Sequence, residues 1–153
     1  MGEPMTEQRL SRYISLKLEV EHQLERIARM KSEETFPAMK EPSESQHQPG
    51  AGDRMERAIL RRMEYEEKVA PLIQANEDEM GAIEDAIAGL DDPMEREVLR
   101  LRYIDGCEEV KSRHQLWREV AVRLYGDDDE KWMQAAYRLH RRALRNIRKV
   151  DDT

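Results

Sequence analysis

The fold turns on the stretch Asp91-Asp92-Pro93-Met94-Glu95-Arg96-Glu97-Val98-Leu99-Arg100-Leu101-Arg102-Tyr103-Ile104-Asp105-Gly106. Asp91 and Asp92 offer a carboxylate N-cap, and Pro93 takes the first helical position, where its missing N–H has no intrahelical partner to lose. Val98, Leu101 and Ile104 follow at three-residue spacing and share one side. Asp105-Gly106 ends the run, with the glycine as the C′ residue. The stretch predicts a helix over Pro93–Ile104 with one apolar side, which must be buried against neighbouring elements.

Those neighbours are found downstream. Cys107–His114 is a polar connection, and Gln115–Tyr125 predicts a short helix burying Trp117, Val120, Ala121 and Leu124 and ending at Gly126. Asp127-Asp128-Asp129 supplies the next N-cap and favourable negative charge at a helix N-terminus. The last helix, Glu130–Lys149, carries Met133, Ala136, Leu139, Ala143, Leu144 and Ile147 as its inward residues. Three helices in about sixty residues, the last one basic, follow the helix-turn-helix plan.

The charge pattern sharpens this reading. The chain has 153 residues and a net charge of −7. Residues 1–90 hold 12 Lys/Arg against 19 Asp/Glu, which accounts for all of it, while residues 91–153 hold 14 of each sign. Between Lys131 and Lys149 lie Arg138, Arg141, Arg142, Arg145 and Arg148 and no acidic residue. A wholly basic helix in an acidic protein is a localised footprint for a polyanion. The alternative is a solvated basic face that balances acidic neighbours.

Upstream the pattern is helical from about Thr6 to Met30, with Thr6 as N-cap and Leu10, Ile14, Leu24 and Ile27 as inward positions. Residues 33–52 are rich in Pro, Ser, Gly, Gln and Glu and read as a flexible loop. Periodicity resumes from Asp53 to Leu90. Val69, Ile73, Asn76, Met80, Ile83, Ile87 and Leu90 alternate four- and three-residue spacings, the seam of a helix lying along a partner. Asn76 is the polar member that sets register, and Pro71 predicts a kink or short break near Lys68–Pro71. The expected fold is all-α. A long, coiled-coil-like helical hairpin occupies 1–90, and a three-helix helix-turn-helix module occupies 91–150. A parallel or intermolecular coiled coil using the same stripe is the alternative to the hairpin.

Composition excludes several classes. Charged residues make up 39% of the chain and aromatics 5%, a balance suited to amphipathic helices that each bury one stripe. The lone Cys107 cannot form an internal disulfide and points to a reducing compartment. No apolar run reaches the ~20 residues of a membrane span, and Met1–Arg12 is too polar for a signal peptide. The expected location is therefore the cytoplasm, with no membrane partner. His22, His47, His114 and His140 are scattered, without metal-ligand spacing to Cys107 or to paired carboxylates. No phosphate-binding glycine loop, nucleophile elbow or Ser/His/Asp cluster is present. The expectation is a protein that is not an enzyme, with no metal and no cofactor.

Leu90–Gly106 resembles the opening helix of sigma-factor region 4, Trp117–Leu124 its second helix, and Tyr137–Ile147 its recognition helix. The Tyr137-Arg138-Leu139-His140 variant is similar to that of small phage and prophage proteins, including transcriptional regulators akin to the ArpU and RinA late-gene activators. Two spacings depart from the family: ten residues separate Gly106 from Trp117, and Gly126–Trp132 replaces a tighter turn. The resemblance implies a recognition helix that meets bases through Gln134, Ala135, Tyr137, Arg138 and Arg141. Lys131, Arg142, Arg145, Arg148 and Lys149 would meet phosphates, which position the protein without specifying sequence. Gln134 offers an amide fork for adenine and Arg138 a guanidinium fork for guanine. The implied partners are double-stranded promoter DNA and RNA polymerase, with a homodimer formed through the N-terminal helices. The alternatives are a DNA-packaging protein like a small terminase subunit, and a polymerase-binding module that does not read DNA.

Overall fold

The computed structural model describes residues 3–35, 51–106 and 109–151, and among these it contains helices and no strand. The elements are α1 (Glu7–Ser11), α2 (Tyr13–Thr35), α3 (Ala51–Ala88), α4 (Pro93–Leu99) continued by a π-helical segment (Arg100–Asp105), α5 (Trp117–Tyr125) and α6 (Glu130–Asp151). No described helix is long and apolar enough to cross a membrane. The expected loop at 33–52 lies mostly outside the described residues; its first residues continue α2 and its last begin α3.

Two of the expected start signals act as read. Thr6 Oγ1 accepts the Arg9 N–H at 3.3 Å, and Asp92 Oδ1 accepts the Met94 N–H at 2.9 Å ahead of Pro93. Glu119 reaches back to accept the Leu116 N–H at 3.1 Å, satisfying a donor left free at the start of α5. One expectation needs correction at the end of the Pro93 helix. Its last six residues are π-helical, not α-helical. Val98, Leu99, Leu101 and Tyr103 are all buried, and at about 100° per residue they would span some 200° of an α-helix. The wider π turn re-aims the later side chains toward the core.

Two compact units make up the chain, and the division does not fall at 90/91. The described residues of Met1–Leu18 and Glu77–Thr153 form one, and Glu19–Asn76 the other. In the first, Met5, Leu10 and Tyr13 join Ile83, Ile87 and Leu90, then Val98, Leu99, Leu101 and Tyr103, then Val120, Leu139, Ala143 and Ile147 in a single apolar cluster. The helices of the basic module therefore share their core with the chain's N-terminus and the end of α3. Arg9 reinforces that join, with Nε 3.1 Å from both carboxylate oxygens of Glu79 and Nη2 2.7 Å from one of them.

In the second unit, parts of α2 and α3 pair antiparallel. Glu19 accepts from Asn76 Nδ2 at 2.7 Å, and at the other end Arg62 meets Glu34 at 2.5 Å. Val69 and Asn76 are buried on this seam, so the sequence stripe is used within the chain and Asn76 has the register partner expected of it. α3 runs through Pro71 without the expected break. Pro71 and Glu67, whose carbonyl loses its helical partner, are both exposed, so solvent can reach that turn of the helix. Leu24 is also a correction: it is 50% exposed rather than inward. At that level the hairpin is closed by hydrogen bonds from Tyr65 to Gln23 and from Arg26 to Tyr65.

These placements set two stability tests. Ile83 is fully buried, so Ile83→Asp places an unpaired charge in the core and lowers unfolding free energy by about 3 kcal/mol or more, whereas Leu24→Glu stays within about 0.5 kcal/mol. Urea unfolding of both variants checks the contrast; equal effects would show that neither assignment of the seam holds. Gly106 has φ 64° and ψ −167°, and an added Cβ meets Ile14 Cδ1 at 3.0 Å and the Arg113 carbonyl at 3.4 Å. Gly106→Ala is expected to be destabilising by about 1–3 kcal/mol in the same measurement.

Candidate nucleic-acid interface

α6 owes its two faces to its sequence. Ala136, Leu139, His140, Ala143 and Ile147 are buried, and at about 100° per residue they form one continuous stripe. The helix packs that stripe on both α4 and α5. On the opposite side Lys131, Arg138, Arg142, Arg145 and Lys149 fall within about 60° of one another, with Gln134, Arg141 and Arg148 along one edge. All eight of these side chains are exposed.

Between α5 and α6 lie only Gly126–Asp129, because α6 begins at Glu130. The sequence gap at Gly126–Trp132 is thus a four-residue turn plus the first helical turn. Gly126 takes the left-handed conformation (φ 81°, ψ 4°) that ends α5. Trp132 stacks on Tyr125 with ring centroids 4.9 Å apart, and the Lys131 ammonium lies 5.0 Å from the Trp132 ring. The carboxylates of Asp127, Asp128 and Asp129 converge within 4.8 Å. Asp127 accepts the Asp129 N–H at 3.1 Å, and Asp128 pairs with Arg118 at 3.3 Å.

The expected contact residues are not all placed alike. Arg138, Arg141, Arg145, Arg148 and Lys149 are exposed, and among the described residues none has a carboxylate within salt-bridge distance. Arg138, Arg141, Arg142 and Arg145 also border an open groove of about 920 Å³, whose apolar lining comes from Met94, Tyr125, Ala135, Leu139 and Leu144. Gln134 projects beside Arg138, while Ala135 is half-buried in the groove.

Arg142 is engaged elsewhere. Its Nη2 lies 2.5 Å from Asp92 and its Nε 3.4 Å from Glu95. Glu95 is only 2% exposed and also accepts from Asn146 Nδ2. A buried carboxylate is tolerated only when paired and hydrogen-bonded, so Arg142 and Asn146 are the reason Glu95 can sit between α4 and α6. Sequence reading missed this cluster, because nothing along the chain links Glu95 to residues some fifty positions later.

Tyr137 is the second residue whose place differs from that implied. It is half-buried and lies edge-on to Trp117 with centroids 4.9 Å apart. Trp117 also meets His140 edge-on at 4.7 Å and lies under the Arg102 guanidinium at 4.7 Å. His140 Nε2 and the Tyr103 hydroxyl share a hydrogen bond of 2.6 Å, and the hydroxyl is also 3.4 Å from Glu7. This aromatic layer braces α6 from one flank.

Compared with known protein families, curated proteins and solved structures, the chain matches none.

Burial lowers the His140 imidazole from its ordinary 6.5, helped by Arg102 and Arg141 and opposed by Glu7. Burial and Arg102 also lower His114. Burial, with Glu7, raises the Tyr103 hydroxyl, so it stays protonated. The unfolded chain then binds more protons than the folded one below about pH 6.5, so stability rises with pH. Stability is full above that value and is lost as pH falls through it toward the lowered folded-state values. Thermal unfolding between about pH 8 and pH 5 should show a falling midpoint. The fall should be smaller in His140→Gln, which keeps an acceptor for Tyr103. An equal fall in the variant would remove His140 as a source.

Proposed function

We propose that this chain is a DNA-binding transcription regulator of the phage or prophage kind, in which α5 and α6 act as a helix-turn-helix and α6 reads the major groove of promoter DNA beside RNA polymerase. The single observation that carries the reading is the outward face of α6. Among the described residues its exposed cations other than Arg142 lack carboxylate partners, in a protein whose net charge is −7. Desolvated ion pairs need not be broken for phosphates to reach them, and counterion release favours binding. The four-residue turn before α6 also suits a helix-turn-helix, whose joining turn is short.

Within this reading the roles follow position on α6. Arg138 and Gln134 lie in its N-terminal half, where a recognition helix approaches base edges. Arg145, Arg148 and Lys149 lie toward the far end and meet phosphates. Arg142 is a positioning residue, because Asp92 and Glu95 already hold its guanidinium. Tyr137 supports the helix from its flank through Trp117.

The carboxylates at Asp127–Asp129 favour a second reading, a polymerase-binding module that does not read DNA, since three acidic groups at the start of α6 repel phosphate. Two point variants separate the readings. Arg138→Ala should weaken binding to a selected cognate duplex by roughly 1–3 kcal/mol and leave binding to scrambled duplex nearly unchanged. Arg148→Ala should weaken both about equally. Fluorescence anisotropy at one fixed salt concentration measures each. If Arg138→Ala lowers both affinities by one factor, base reading by α6 is wrong; if the wild type binds neither duplex, the interaction module takes its place.

A further inference from the structure

α3 carries a second row of outward cations, in the unit that the reading of α6 does not use. Arg54, Arg57, Arg61 and Lys68 are all exposed, and at about 100° per residue they lie within about 60° of one another. The row runs about 21 Å along the helix at 1.5 Å per residue. It lies about a quarter-turn from the seam on which Val69 and Asn76 are buried. The contrast with the inward arginine is direct: Arg62 is held by Glu34 at 2.5 Å and by Glu66 at 3.0 Å. Among the described residues, none of the four outward cations has a carboxylate within salt-bridge distance. Glu64 borders the row, and together with Arg54, Arg57, Leu60 and Arg61 it lines a shallow groove of about 470 Å³.

We propose that the Arg54–Lys68 row is a second contact to the phosphate backbone of double-stranded DNA, a proposal that rests on the DNA-binding reading above. Duplex DNA carries one negative charge per about 1.7 Å of axis, so phosphates are available to every cation along such a row. Three of the four cations are arginines, whose planar fork matches phosphate oxygens in pairs. The row is also linear along one helix, as the row on α6 is, which suits a regular polyanion. It lies within residues 1–90, where acidic residues outnumber basic ones by 19 to 12. Net charge therefore repels DNA from this part of the chain, and only the local row attracts it.

The test is the salt dependence of binding by the full-length chain to a long duplex of random sequence. Each lost phosphate contact flattens the slope of log affinity against log salt by about 0.9. The triple variant Arg54→Gln, Arg57→Gln, Arg61→Gln should flatten it by roughly two to three units. The same three positions changed to lysine keep the charge and should keep the wild-type slope. Glu64→Gln should tighten binding. Arg145→Gln with Lys149→Gln reports on α6 in parallel. All the α3 positions are exposed, so melting curves of these variants should match wild type. A flattened slope in the α6 pair with no change in the α3 triple overturns this inference and keeps the α6 reading. A flattened slope in the α3 triple alone keeps the inference and removes α6 from the interface. No binding by wild type overturns both, and capture of an acidic protein by the row in place of DNA would follow that result.

Discussion

Burial of one stripe of α6 organises the first compact unit. Ala136 and Ala143 are small, so the backbone of α6 approaches its neighbours closely, and Leu139 and Ile147 then fill the space between α4 and α5. Each fully buried aliphatic side chain of this kind contributes about 1.5–3 kcal/mol relative to exposure. Once that stripe faces inward, the helical period leaves no choice for the other side. Lys131, Arg138, Arg145 and Lys149 must face outward together, in one row. The chemistry of the surface is thus a consequence of the packing of the core.

Polar groups refine what the apolar stripe begins. Glu95 sits almost fully buried between α4 and α6 and is held by Arg142 and Asn146. Removing one partner would leave a buried charge uncompensated, which is far more destabilising than the pair is stabilising. The same contact withdraws Arg142 from the set of free cations, although it lies on the basic face. On the other flank the Trp117, Tyr137, His140 and Tyr103 rings form a layer closed by the Tyr103–His140 hydrogen bond. Edge-on aromatic pairs add about 0.5–1.5 kcal/mol beyond area burial, and their directionality limits rotation of the helix. The exposed arginines are consequently presented by a helix anchored on two sides.

The core of the first unit also draws in residues far from it in sequence. Met5, Leu10 and Tyr13 complete the apolar cluster that α4–α6 begin, and Arg9 ties α1 to α3 through Glu79. An isolated module of three short helices in about sixty residues has little core of its own. The added residues from the chain's start and from the end of α3 enlarge it. The second unit is built differently, by an antiparallel seam in which polar pairs such as Asn76–Glu19 and Tyr65–Gln23 alternate with apolar contacts.

Much of this was legible along the chain. Periodicity and capping residues identified the helices, because a 3.6-residue repeat and an N-cap carboxylate are local properties of neighbouring residues. Asp92, Pro93, Gly126 and the Val69–Leu90 stripe act as their types require, and the basic row on α6 follows from spacing alone. Position in the fold was decided elsewhere. Leu24 has the spacing of a seam residue but is half-exposed, at a level where Gln23 and Arg26 join α3 through Tyr65. Pro71 sits inside a continuous helix, on a turn that faces solvent. The π-helical turn, the burial of Glu95, the engagement of Arg142 and the packing of Tyr137 on Trp117 each depend on a partner supplied by another element. Local sequence sets which face of a helix is apolar, while the tertiary structure decides what that face meets and which of the outward charges remain free.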